Sequence, residues 1–161
     1  MNSFFKEYKD KCDQLEAIFN GYGESASNAK KLRGGVCAEM LRKKIIEYVQ
    51  ANNNPVNVSP VNSYILGSKY EYDMLVVKSN AEPVCEICYR PEDVISVIES
   101  KAGGLMSVKN ETSNISKAVN RAWELNNSIF FGYFTIGENI PKNEFKADGT
   151  ETVNHWKLTI V

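Results

Sequence analysis

Three charged residues stand in stretches that are otherwise apolar. Asp73 interrupts Tyr-Glu-Tyr-Asp-Met-Leu-Val-Val at positions 70–77, and Glu99 and Lys101 close Val-Ile-Ser-Val-Ile-Glu-Ser-Lys at positions 94–101. A charge in such a segment is costly to desolvate unless it is paired or binds an ion. Both segments have the composition of strands, in which residues i and i+2 share a face. Glu99 and Lys101 therefore point one way and Ser100 the other. With the two strands as neighbours, Asp73 would sit beside Glu99, and two adjoining carboxylates must take up a proton or share a cation. Oxygen ligands suit Mg2+ or Mn2+, which retain waters and also bind phosphate oxygens. Such an ion acidifies its water and neutralises charge developing on a phosphodiester. Lys101 beside it would orient the attacking water and stabilise a pentacovalent transition state. It is a poor general base, because its reference pKa is about 10.4 and neighbouring carboxylates push it higher.

The surrounding elements must bring these residues together. Phe4, Phe5, Tyr8, Cys12, Leu15, Ile18 and Phe19 recur at helical spacing, which predicts a helix over 2–20 that Asn20 to Gly23 stops. Ser25 to Asn28 offer N-caps for a second helix running to about Gln50, with Leu32, Val36, Leu41, Ile45 and Val49 as its core positions. The pattern then turns to strands: 56–67 with an interruption at Pro60, 70–77, a short edge segment at 84–89, and 94–101, ended by Ala102 to Gly104. Ser113 or Asn114 would cap a third helix that carries Ile115, Ala118, Val119, Ala122, Trp123 and Leu125. The aromatic stretch 128–136 predicts an interior strand, 137–150 a polar loop, and 156–161 a last strand. The third helix lies between two strongly apolar strands, as a right-handed crossover requires, so those two strands should be parallel. The expectation is one α/β domain over 1–161 with a mixed sheet. Tyr72, Trp123, Tyr133 and Phe134 are expected in its core.

Asp73, an interval of 25 residues, and Glu99-Ser100-Lys101 resemble the D…(D/E)-x-K signature of the PD-(D/E)xK nuclease superfamily, which includes restriction endonucleases and Holliday junction resolvases. The order α-β-β-β-α-β of that family's core is similar to the order over residues 28–136, and the family often carries a Glu on the helix before the sheet, the place of Glu39. A closer similarity is to poorly characterised bacterial and phage domains of the superfamily. Their motifs resemble Gly35 to Arg42, the strand with the single Asp73, and Pro91 to Lys101 here, so that the likeness covers about two thirds of the chain. Two positions depart from the pattern: Tyr72 stands where the family often has Pro, and Ser100 where Val is commoner. The resemblance implies a restriction endonuclease-like core, a mixed central sheet flanked by helices, with an extra N-terminal helix. It implies Mg2+ or Mn2+ held by Asp73, Glu99 and the Ser100 main-chain carbonyl, with Glu39 acting through a second ion or a water. It implies Asp73, Glu99, Lys101 and Glu39 as catalytic residues of a nuclease, most simply an endodeoxyribonuclease, in defence or mobile-element biology. Many such proteins pair to cut two strands, and the first helix, with Phe4 and Phe5, is the expected interface.

Net charge is −1, so the chain has no global basic signature and any polyanion surface must be local. Lys30, Lys31, Arg33, Arg42, Lys43 and Lys44 flank Glu39, the only acid between Asn28 and Ile46. Arg33, Arg42 and Lys43 would guide a phosphate backbone, and Gly34 and Gly35 would let it approach. Lys117 and Arg121, one turn apart, would add contacts from the third helix. A solvated basic face is an equally good reading of the same residues. Two further readings stay open: a nuclease-fold module that binds without turnover, and an interaction protein whose charges are surface pairs.

Hydrophobic residues make up 43% of the 161 and charged residues 24%, a globular balance that excludes disorder of the whole chain. No apolar run approaches the ~20 residues of a membrane span. Met1 to Lys11 mixes charges with aromatics, unlike a signal peptide, so a cytoplasmic protein without membrane partners is expected. Of the four cysteines, Cys85 and Cys88 have zinc-knuckle or redox spacing. The expectation is reduced thiols in a strand or turn. His155, the only histidine, is expected in a surface or packing role.

Overall fold

A computed structural model describes residues 3–21, 26–102, 114–136 and 156–158. The polar loop at 137–150, His155, Ser113 and residues 159–161 lie outside the described residues. Helix α1 spans Ser3–Gly21 and α2 spans Ala26–Ala51. Among the described residues eight strands, one further α-helix and a short 3-10 turn at Pro91–Asp93 follow: β1 Val56–Val58, β2 Ser63–Ile65, β3 Glu71–Tyr72, β4 Met74–Lys78, β5 Cys88–Tyr89, β6 Val94–Ala102, α3 Asn114–Leu125, β7 Phe130–Ile136 and β8 Trp156–Leu158.

Five strands form the main sheet in the order β1-β4-β6-β7-β8, and β3-β2-β5 form a smaller one. The β6–α3–β7 crossover joins parallel strands, as its length and apolar flanks require. β4 runs antiparallel to both β1 and β6, so the main sheet is mixed. The segments 56–67 and 70–77, each continuous in its hydrophobic pattern, are both split between the two sheets. In the first, Ser59 makes the break: its hydroxyl accepts the Leu75 N–H at 2.8 Å and donates to the Pro60 carbonyl at 2.8 Å. In the second, the break is Asp73 itself.

The helices cover opposite faces of the main sheet. Ile115, Ala118 and Ala122 of α3 share a buried cluster with Leu75, Val77, Val97, Phe131 and Tyr133. On the other face, Cys37 of α2 packs with Phe134, which Phe4 and Tyr8 of α1 and Leu41 also meet. Among the described side chains of α2, Cys37, Ala38 and Met40 are buried, whereas Leu32, expected in the core, is exposed. The helix packs against α1 on one side and against β6 and β1 of the main sheet on the other, so its buried arc is set from two sides and departs from the single stripe of an amphipathic helix. Trp123 also leaves the core: it is 43% exposed, and its indole N–H donates to the Asn127 carbonyl at 2.9 Å. Tyr72, Tyr133 and Phe134 are buried as expected. Phe4 meets the Phe134 ring edge-on at a centroid distance of 5.6 Å, so this residue of the expected pairing helix is engaged within its own chain.

Candidate active site

β4 and β6 pair with Met74 opposite Ile98 and Leu75 opposite Val97. Continuing that register by one residue sets Asp73 opposite Glu99. Val97 belongs to the α3-side cluster, so the two-residue period puts Glu99 and Lys101 on that face, and Ser100 on the other beside its register partner Phe134.

Asp73 is held from three directions. Its main-chain N–H donates to the Glu99 carboxylate. Its carbonyl accepts the Asn62 N–H at 3.1 Å. Its carboxylate accepts both the main-chain N–H and the hydroxyl of Ser100, at 2.6 and 2.9 Å. The chain leaves the main sheet at this residue, and the side chain takes the place of the next ladder bond to β6. In an extended strand a residue's N–H and C=O point to the same side. The Ser100 carbonyl thus faces the Asp73 side.

Glu99 is 5% exposed. Burial pushes its carboxyl up to about 8, and the neighbouring Asp73 adds to the shift, while Lys101 and the Asp73 N–H work against it. The Lys101 ammonium lies 3.8 Å from the Glu99 carboxylate and is one-third exposed. One lysine cation thus faces two carboxyl groups, and the missing positive charge is supplied either by the proton that Glu99 holds or by a divalent cation that displaces it. Glu71, which faces the same region, is exposed and accepts the Tyr64 hydroxyl at 2.7 Å.

The other expected site residues are placed as follows. Glu39 pairs with Arg42 at 3.4 Å, and Arg42 also donates to the Ser59 carbonyl at 2.7 Å. Among the described residues no three His, Cys, Asp or Glu side chains gather to hold a metal ion. Arg33 forms an ion pair with Glu16 of α1. Arg121 donates twice to the Gly67 carbonyl, at 2.8 and 3.2 Å, and pairs with Glu124. All three arginines expected to bind phosphate thus have partners within the fold. Lys43 and Lys117 are exposed, while Lys44 pairs with Glu47. A side chain added at Gly34 or Gly35 would meet open space, so packing does not require glycine there and the surface is open to approach.

Sequence reasoning missed two contributors. The Ser100 hydroxyl is a second donor to Asp73. Cys37, fully buried on α2, has its thiol pushed up to about 12 by burial and then by Asp73, which places it next to the site as a neutral group. Its position two residues before Glu39 was the only available signal.

The mixed sheet, its flanking helices and the crossover define an α/β fold. Among solved structures, it is similar to NucC of E. coli MS115-1 in its cAAA-bound form, with a TM-score of 0.51 and 11% sequence identity. The match covers 84% of this chain and 63% of the NucC chain, so this chain spans less than two thirds of that protein's length. At this identity the likeness is one of fold. The sequence matches no family model and is similar to no curated protein.

Proposed function

We propose that the chain is a divalent-metal-dependent phosphodiesterase acting on nucleic acid, most simply an endodeoxyribonuclease, built as one domain over residues 1–161. The register that sets Asp73 opposite Glu99, with Lys101 at 3.8 Å from Glu99, carries this reading. Asp73, Glu99 and the Ser100 carbonyl are the groups that would hold Mg2+ or Mn2+. When bound, the ion supplies positive charge for phosphate oxygens and acidifies water. Ser100 fixes the Asp73 carboxylate in place. Lys101 presents a cation to the charge that develops on the phosphate, a role worth roughly a hundredfold or more in rate for such groups. Glu39, engaged by Arg42, acts at a distance through a second ion or a water. Lys43 and Lys117 contribute phosphate contacts, and two chains pair to cut two strands. A role in defence or mobile-element biology rests on the family resemblance.

The test is cleavage of plasmid, single-stranded DNA and RNA with millimolar Mg2+ or Mn2+, using Lys101→Ala as control. Metal-dependent cleavage lost in the variant is expected. A second reading, a nuclease-fold module that binds without turnover, draws on the lack of a third ligand among the described residues. Metal-dependent stabilisation and nucleic-acid binding with no cleavage of any substrate would favour it.

A further inference from the structure

We propose that Cys85 and Cys88 form a redox-active dithiol that closes reversibly to an intrachain disulfide. The inference is independent of the nuclease reading. The Cys88 N–H donates to the Cys85 carbonyl at 2.7 Å, the first-to-fourth bond of a tight turn, and the Val84 N–H donates to the Cys88 carbonyl at 2.7 Å. The two cysteines oppose one another as an antiparallel bridge. Directly opposed antiparallel residues have Cα atoms about 4.5–5.5 Å apart, and a disulfide spans Cα separations of about 4.4–6.8 Å. The backbone is therefore already within bridging range, and opposed residues project to one face. Glu86, inside the turn, has φ of +31°, a costly value for a residue with a side chain. A turn that persists against that cost commits the backbone to this approach of the two cysteines.

Accessibility separates this pair from the other thiols. Cys85 is exposed and Cys88 half-buried, whereas Cys12 and Cys37 are buried, and all four are free. A thiolate must reach its oxidant, so oxidation follows exposure. The oxidant belongs to the class of low-molecular-weight disulfides. The more exposed Cys85 thiolate attacks one sulfur of R–S–S–R, whose S–S bond breaks as R–S− leaves. The Cys88 thiolate then attacks the Cys85 sulfur, forming the intrachain bond and expelling the second R–S−. Two protein thiols are oxidised, one small disulfide is reduced, and two protons pass to two R–SH. Zinc is the competing ligand for such a pair, but two sulfurs make only half of a tetrahedral set. Among the described residues no group of three His, Cys, Asp or Glu completes it.

The experiment treats the full chain, under native conditions, with a series of oxidised-to-reduced glutathione ratios, followed by thiol titration, intact mass and peptide mapping. Two of the four thiols should be lost, the mass should fall by two hydrogens, and the peptide holding residues 85–88 should carry an internal bond that reductant reverses. Cys85→Ser and Cys88→Ser should each keep a glutathione adduct on the remaining cysteine instead. Retention of both thiols across the series would overturn the proposal, as would separate glutathione adducts on both residues. Protection of the pair by zinc, at one ion per two chains, would overturn it in favour of a metal bridge between copies.

Discussion

The Asp73 carboxylate accepts two hydrogen bonds from Ser100, one from the main chain at 2.6 Å and one from the hydroxyl at 2.9 Å. The residue at which the chain changes sheets is thereby fastened to the strand that carries Glu99 and Lys101. Asp73→Asn keeps an acceptor for Ser100 and should fold with little loss, but should abolish metal-dependent cleavage and the stabilisation by Mg2+. Asp73→Ala leaves the buried Ser100 N–H unpaired and should cost about 1–3 kcal/mol in addition. Urea melts of the two variants, with and without Mg2+, check the distinction.

Glu99 gives a pH dependence of definite sign. Its carboxyl lies near 8 in the folded chain, above the ordinary carboxylate value of 4.5. The folded state therefore binds the proton more tightly, and stability falls as pH rises from about 4.5 to about 8. Glu99→Gln imitates the protonated form. It should raise the melting temperature at pH 8.5, by on the order of 5 °C, and do little at pH 4. A variant less stable than the parent at pH 8.5 would contradict the direction of the shift.

Metal uptake should be coupled to the same proton. Glu99 must lose it to become a ligand, so apparent Mg2+ affinity should rise with pH, by up to about tenfold per unit below pH 8, and then level off. Calorimetry in buffers of different ionisation enthalpy should show release of up to one proton, absent in Glu99→Gln. At ten times its Kd, the metal should stabilise the chain by about 1.4 kcal/mol.

Lys101 is one-third exposed and its partner is 3.8 Å away, so it contributes to rate more than to folding. Lys101→Ala should reduce cleavage by roughly a hundredfold or more while leaving the urea midpoint near that of the parent. Mg2+ binding should be retained or strengthened, since a competing cation has gone.

Arg121 and Lys117 lie one turn apart on α3 and should behave differently. Arg121 secures the carbonyl of Gly67, whose φ of +87° marks a turn that packs against Leu125. Arg121→Ala should cost about 1 kcal/mol of stability and leave the salt dependence of DNA binding unchanged. Lys117→Ala should leave stability alone and lower the salt slope by about one. Fluorescence anisotropy across a salt series reads both.

Much of the architecture was legible before the structure. The order of helices and strands, the parallel pairing of β6 with β7 and the burial of Tyr72 and Phe134 follow from local periods and connection lengths. The seat of α2 did not: Leu32 is exposed and Cys37 buried because α1 and the main sheet both cover that helix. The basic surface around Glu39 was legible only as composition. Arg33 and Arg42 find Glu16 and the Ser59 carbonyl on distant elements, which spacing along one helix does not encode.

The sequence by itself determined which side chains share a face. Glu99 and Lys101 are two residues apart in a strand, and side-chain direction is a local property of the backbone. It also marked Asp73 and Glu99 as charges set in apolar strands, whose burial needs compensation. Only the tertiary structure decided that β4 meets β6 in the register that sets residue 73 opposite residue 99, and that the chain switches sheets at Asp73. Register and hydrogen-bond partner are settled by contacts between segments far apart in the chain, where the packing of both faces of the sheet selects one alignment out of many.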